Sequence, residues 1–174
     1  IEDYSDSVLG EALKYYWTTR EESTDDFVTD ESVFDSPAER DLYALIKQTK
    51  FYKKNQSNLH LIAQFEIGKY LSEEYKRYMP NYRVDFLLTY KKGEKSQSLI
   101  LEYDGLEYHF KDPAATTRYN FSEQYLEYDT QRQIELESYG YKFLRINKFN
   151  LLPEKKEESR IDVLNRMLLT SFSQ

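Results

Sequence analysis

Three acidic residues lie in two apolar stretches near the middle of the sequence. Asp85 is in the first stretch, Glu102 and Asp104 are in the second, and a polar run that contains Gly93 separates them. Two apolar stretches joined by such a run predict a β-hairpin. A turn symmetric about Gly93 and Glu94 would place Asp85 opposite Glu102, and Asp104 would share their face because side chains alternate along a strand.

Carboxylates placed in this way would repel each other, since directly opposed side chains of antiparallel strands lie about 4.5–5.5 Å apart. A hard divalent cation offsets that repulsion, because Mg²⁺ binds one or two carboxylates and keeps its other positions for water and phosphate oxygens. The three acids therefore predict a metal site. The alternative interpretation is an ordinary solvated face of the sheet that carries three acids.

The composition is typical of a soluble globular protein of one domain, since 40% of the 174 residues are hydrophobic and 32% are charged. No apolar run approaches the length of about 18 residues that a membrane span needs, so we expect no membrane association and a cytoplasmic location. The absence of cysteine excludes disulfides and thiolate zinc sites. The chain begins with Ile1 and has no signal-peptide pattern, so we expect a piece of a longer protein.

The negative charge of the chain is concentrated at its start. Residues 1–35 have a net charge of −9, so residues 36–174 have a net charge of +2, although the whole chain carries −7. We expect residues 1–35 to form an acidic accessory helix and linker, and residues 36–174 to form the main domain. Such a main domain can bind phosphate, because local patches rather than total charge decide that binding.

Helix caps and hydrophobic periodicity predict the remaining elements. Ser36, Pro37 and Glu39 form a capping-box pattern, which predicts the start of a helix and gives Glu39 a structural role. The other predicted elements are a helix over 7–20, a strand over 59–68, a helical or irregular segment over 70–78, hairpin strands within 83–88 and 99–105, a helix over 122–140, a strand over 141–146 and a helix capped by Ser159. This order predicts a mixed sheet with helices on both faces.

The order of elements and acids resembles the PD-(D/E)XK nuclease superfamily, which has the restriction-endonuclease-like fold. Within it the sequence is most similar to the very short patch repair (Vsr-like) endonuclease and its relatives, which are often appended to helicases or defence proteins. The resemblance covers residues 36–150. The motifs that carry it are Val84-Asp85-Phe86, Glu102-Tyr103-Asp104-Gly105 with His109 following, Asp129 with Arg132, and Gly140-Tyr141-Lys142-Phe143-Leu144-Arg145.

The resemblance implies an α/β fold with a restriction-endonuclease-like mixed β-sheet flanked by helices, that is, an α-β-β-β-α-β core behind an N-terminal accessory helix. It implies a DNA endonuclease that depends on Mg²⁺ or Mn²⁺. The sequence departs from the family pattern at one position: the superfamily has lysine two residues after the second acid, and Asp104 stands there after Glu102. The group that assists the attacking water is therefore left open.

By resemblance, Asp85 and Glu102 would be the principal metal ligands. Asp104 would be a third ligand, a water-orienting group or the binder of a second cation. His109 would orient water or contact phosphate, or have only a structural role.

Glu39 and Gln64 match the opening elements of the family, so each could also reach the metal through water. Basic residues predicted to contact nucleic acid are Arg83, Lys76, Arg77, Arg118, Arg132 and Arg145.

Several of these basic residues also have a simpler interpretation. Lys76 and Arg77 could lie on a solvated edge, Arg132 could only pair with Asp129 along a helix, and Arg145 could simply neutralise the acids. The expected partners are DNA, with RNA left open as a substrate, and a larger protein such as a helicase. The alternative to an enzyme is an inactive nuclease-fold module that binds nucleic acid or a protein. The oligomeric state is not predicted.

Overall fold

The structure is a computed structural model that describes residues 34, 36–105 and 109–173. The predicted accessory helix over 7–20 and most of the acidic segment lie outside the described residues. The helices of the described part are α1 Pro37–Gln48, α2 Lys50–Asn55, α3 Ile67–Tyr75, α4 Glu127–Glu137 and α5 Arg160–Phe172. None of these helices has the length and apolar character needed to span a membrane.

Four strands form one sheet in the order β1-β2-β3-β4, with β1 Leu59–Phe65, β2 Val84–Lys92, β3 Lys95–Tyr103 and β4 Lys142–Ile146. The first two neighbouring pairs are antiparallel, and β4 is parallel to β3. Helix α4 lies in the connection from β3 to β4, as a parallel pair requires. The predicted α/β class with a mixed sheet is confirmed.

Two apolar clusters cover the sheet, because alternate residues of the central strands point to opposite sides. One cluster joins the sheet to α3 and α4 and comprises Phe65, Ile67, Tyr70, Leu71, Met79, Tyr82, Val84, Leu87, Ile100, Leu136 and Tyr141. The other joins it to α1, α2 and α5 and comprises Leu42, Ile46, Phe51, Leu59, Phe86, Leu88, Leu99, Leu101, Ile146, Leu151, Val163, Leu164 and Leu168. Helices therefore lie on both faces, as predicted.

The hairpin turn lies where the sequence predicts it. Lys92 pairs with Lys95, so Gly93 and Glu94 form the turn, and Gly93 has a positive φ of 65°. The register continues through Phe86 opposite Leu101. The strands extend further into the polar run than predicted, since only two residues are left unpaired at the tip.

Strand β1 ends at Phe65 rather than at Gly68, so the predicted strand over 59–68 is too long. Gln64 has a left-handed φ of 52°, which interrupts the extended chain. Helix α3 then begins at Ile67, and Gly68 packs against the following loop, where a Cβ atom would lie 2.1 Å from the carbonyl oxygen of Pro80. Hydrophobic alternation alone does not show this change of direction.

Helix α4 begins at Glu127, later than the predicted start at Ser122. The chain just before α4 pairs instead with the segment after β3: the N–H of Lys111 donates to Gln124 O at 2.7 Å, and the N–H of Leu126 donates to His109 O at 2.9 Å. These long-range bonds compete successfully with local helix propensity. The predicted cap of α5 is confirmed, since Ser159 forms a full capping box.

Candidate functional site

The register of the sheet aligns one polar residue from each strand. The β1–β2 pairs on both sides of Gln64 place it opposite Asp85, and Glu102 pairs with Arg145 of β4. The last β2–β3 pair is Phe86 with Leu101, so Asp85 and Glu102 are the next residues along the two strands. We call Gln64, Asp85, Glu102 and Arg145 the polar row. The row brings together the two acids that the sequence predicts to face each other.

Asp85 is the acid of the row that has no cationic neighbour. Its Oδ2 accepts a hydrogen bond from the N–H of Tyr103 at 2.9 Å, and no described Lys, Arg or His side chain lies within ion-pair distance of it. Burial, together with the nearby carboxylates of Glu102 and Glu39, raises the pKa of Asp85 to about 8. At neutral pH this carboxyl group therefore favours its neutral, protonated form.

Glu102 is buried and already has counter-ions. Arg132 of α4 donates through Nη2 to Glu102 Oε2, and Arg145 Nη1 lies 3.4 Å from the same oxygen. Only 3% of Glu102 is exposed. The negative charge of Glu102 is thus balanced by Arg132 and Arg145.

Asp104 follows β3 and is held between two cationic groups. Its N–H donates to Ile146 O at 2.8 Å, Arg145 Nη1 lies 3.2 Å from its Oδ1, and His109 Nδ1 lies 3.7 Å away. Burial raises the pKa of Asp104 to about 6, although Arg145 opposes the rise. The side chain has no exposed surface.

His109 lies at the edge of this network and is fixed by Asp129 of α4. The two side chains are joined between Nδ1 and Oδ2 at 3.1 Å, and 28% of the His109 side chain is exposed. The bond to Asp129 raises the pKa of His109, although burial opposes the rise. Asp129 also lies 3.8 Å from Arg132, so the predicted pair along the helix is present. The arrangement orients an imidazole that can reach solvent.

Glu39 contributes to the cap of α1, while its predicted contact with a metal through water stays a prediction. Its N–H donates to Ser36 Oγ at 3.2 Å, which caps α1, and its carboxylate accepts hydrogen bonds from Ser36 Oγ and from the side-chain amide of Gln64. Through Gln64 it is connected to the polar row. The side chain is buried, and its charge acts on Asp85.

Arg145 is almost completely bonded. Its Nε donates to Gln133 Oε1 at 2.7 Å, its Nη2 donates to Asp129 O at 2.9 Å, and its guanidinium lies over the ring of Tyr125 at 5.0 Å. These contacts favour the interpretation that Arg145 neutralises the acids. The roles of Gln133 and Tyr125 were not predicted, because they depend on where α4 begins.

The other basic residues predicted to contact nucleic acid are exposed. They are Lys76, Arg77, Arg83 and Arg118. Arg77 bonds to the hydroxyl of Tyr139, and Arg118 lies 5.6 Å from the ring centroid of Tyr119. Arg132, by contrast, is buried, so a contact with nucleic acid would require the charge network to open.

Carboxylate oxygens are suitable ligands for a hard divalent cation. The side chains of these acids do not, however, surround a common position. Within residues 34, 36–105 and 109–173, no three Asp, Glu or His side chains are grouped so that they could hold a metal ion together. The fit rests on Asp85, whose partly buried carboxyl group has no counter-ion in the described part of the chain and has Glu102 as its electrostatic neighbour. The predicted ligand set of Asp85, Glu102 and Asp104 stays a prediction.

Comparison with known proteins adds no relative. No protein-family model matches the chain. No curated protein and no solved structure matches it either. Function must therefore be argued from the polar row and the residues around it.

Proposed function

We propose that this domain hydrolyses phosphodiester bonds of DNA with the help of Mg²⁺ or Mn²⁺. The observation that carries the proposal is the partly buried carboxyl group of Asp85, which lies close to Glu102 and has no counter-ion among the described residues. An uncompensated carboxylate costs stability. A bound cation would offset that cost, so the site favours metal binding.

The topology gives further support. Strands β1, β2 and β3 form an antiparallel meander, α4 follows, and β4 joins parallel to β3. Asp85 lies near the start of β2 and Glu102 near the end of β3. We infer that this is the restriction-endonuclease-like arrangement, since the motif resemblance implies the same order and the same two positions for the acids.

In this mechanism Asp85 and Glu102 would hold the cation. The cation, when bound, supplies charge stabilisation and an activated water. Asp104 is fully buried and holds Arg145 and His109, so we assign it a positioning role. His109 is partly exposed and oriented by Asp129, so it can exchange a proton or a hydrogen bond with the reacting phosphate. His109 would then assist the attacking water, in place of the lysine that the superfamily has two residues after the second acid.

A second candidate is a non-cutting module that binds nucleic acid or a protein. The specific observation in its favour is that Arg132 and Arg145 already neutralise Glu102, and Arg145 also neutralises Asp104. Acids that are balanced by internal arginines can be purely structural. The two candidates differ in whether the acids serve a reaction.

The test incubates the domain with single- and double-stranded DNA, and with RNA, in Mg²⁺ or Mn²⁺. We expect cleavage that Asp85→Asn and Glu102→Gln abolish, because both keep the side-chain shape and remove a ligand charge. Asp41→Asn is the matched control, since Asp41 is exposed on α1. Cleavage that survives in both site variants would contradict the assigned site, and the absence of cleavage in wild type would favour the non-cutting module.

The cellular context belongs to the same proposal. We propose a cytoplasmic protein in which this domain is linked to a larger helicase-like or defence protein. The support is the motif resemblance and the absence of a membrane-spanning helix in the described part.

A further inference from the structure

Arg132 is a buried cation that the structure satisfies incompletely. Only 6% of the residue is exposed, and its Nη2 pairs with Glu102. Its Nη1 is buried and has no hydrogen-bond partner within residues 34, 36–105 and 109–173. A buried donor that belongs to a charged group and lacks a partner is costly, because it has lost its water without replacement.

Arg145 provides the contrast. All three of its guanidinium nitrogens are bonded, and Tyr125 and Phe143 lie against the guanidinium plane at 5.0 and 5.6 Å. Both arginines contact Glu102, but only Arg132 depends on it for its main bond. Arg145 is therefore the fixed counter-ion of the acids, and Arg132 is the one that leaves at lower cost.

We propose that Arg132 is an exchangeable counter-ion, which holds Glu102 when no metal is bound and gives it up to a divalent cation shared with Asp85. The inference rests on the proposed function, since it concerns the same metal. A divalent cation on Glu102 would repel the two guanidinium groups at its Oε2, and Arg132 is the one that fewer other bonds hold in place. The exchange explains how the acids can be buried in a metal-free fold and still serve as ligands.

Isothermal titration of the full chain with MnCl₂ tests the exchange. We expect Arg132→Met to tighten Mn²⁺ binding by about tenfold or more, because the cation no longer competes with a guanidinium for Glu102. The same substitution made together with Glu102→Gln should change the affinity of the Glu102→Gln protein less than twofold. Arg166→Met removes the same charge from an exposed site on α5 and should have no effect.

The variant that combines Arg132→Met with Glu102→Gln distinguishes direct competition for Glu102 from a general effect of net charge. If Arg132→Met tightens Mn²⁺ binding equally with and without Glu102, the substitution acts through net charge, and the exchange is wrong. If wild type binds Mn²⁺ and Asp85→Asn abolishes the binding, but Arg132→Met leaves the affinity unchanged, the exchange fails and the metal site stands. If no form binds Mn²⁺, both proposals fall.

A second measurement uses the unmodified protein, in case Arg132→Met does not fold. The side-chain N–H signals of buried arginines are followed by NMR as MgCl₂ is added. We expect the Arg132 signals to move and to exchange faster with water, while the Arg145 signals stay protected. Protected Arg132 signals in the metal-bound protein would overturn the exchange.

Discussion

At the scale of single residues, Asp85 decides the electrostatic balance of the site. It is partly buried close to other carboxylates, and among the described residues the N–H of Tyr103 is the only group that bonds to it. The folded protein therefore favours its neutral form, which is the reverse of the usual behaviour of an aspartate in an ion pair. Because of this reversal, the stability of the folded protein should decrease as the pH rises through the range in which only the unfolded state ionises.

We predict that Asp85→Asn stabilises the metal-free protein more at pH 8.5 than at pH 5. The pKa of Asp85 is raised to about 8 by folding. Below the unfolded pKa, near 4, both states are protonated and the group has no effect. As the pH rises towards 8, only the unfolded state ionises, so the wild type loses stability that the asparagine variant keeps.

Thermal melting in buffers with a metal chelator measures this effect. We expect a Tm difference between variant and wild type of a few degrees at pH 8.5 that shrinks towards pH 5. The exposed Asp41→Asn change should show no such trend. A Tm difference that is independent of pH would contradict the raised pKa.

We also predict that Arg145→Met destabilises the protein by about 3–5 kcal/mol, because it leaves buried acids without their counter-ion. Arg132→Met should cost less, since Arg132 already has an unbonded nitrogen. Urea unfolding measures both free energies. Equal losses for the two variants would argue against the different roles that we assign to the two arginines.

The sequence predicts the acids of the site better than their counter-ions. Asp85 and Glu102 could be aligned because a two-residue turn sets the register of a hairpin. The partners of Arg132 and Arg145 could not be predicted. They depend on how α4 packs on the sheet, and periodicity alone does not determine that packing. One part of the network was anticipated, since one interpretation of the sequence was that Arg145 neutralises the acids.

At the scale of elements, the hairpin turn is the feature that fixes the site. Gly93 has a φ of 65°, and a Cβ atom built there would meet nothing within 4 Å. A substitution at Gly93 therefore tests backbone conformation without a steric clash. The length of the turn also sets which residues face each other further along the two strands.

We predict that Gly93→Ala lowers the free energy of unfolding by about 1–2 kcal/mol, the usual cost of a left-handed conformation for a residue with a Cβ atom. Gly93→Asn should cost less, because asparagine tolerates that conformation. Urea unfolding of both variants measures the difference. A loss as large for asparagine as for alanine would show that something other than backbone conformation is responsible.

Two element boundaries could not be predicted, and both errors have the same physical cause. Strand β1 ends at Phe65, one residue after the left-handed Gln64, and α4 starts late because residues 124–126 pair with residues 109–111. In each case contacts between distant parts of the chain override the local pattern. The capped starts of α1 and α5 were predictable, because a helix cap is formed by neighbouring residues: Ser36 accepts from the N–H of Glu39, and Ser159 forms a full capping box.

At the scale of the whole molecule, the site depends on both faces of the sheet. Glu39 comes from α1, which packs on one face, while Asp129 and Arg132 come from α4, which packs on the other. The order of elements predicted the mixed sheet. The convergence of the two helices on one end of the sheet was not predictable, since it depends on how the two apolar clusters pack.

The exposed basic residues give the last prediction, which concerns DNA binding by the whole domain. Arg83 is exposed and lies two residues before Asp85, so its charge is close to the proposed site along the chain. We expect Arg83→Ala to weaken DNA binding and to reduce the slope of log affinity against log salt by about 0.9, the value for one lost phosphate contact. Fluorescence anisotropy across a NaCl series, in an Asp85→Asn background that does not cut, measures both. The exposed Lys155→Ala change is the control and should leave the slope unchanged. An unchanged slope for Arg83→Ala would mean that DNA approaches the acids from another side of the domain.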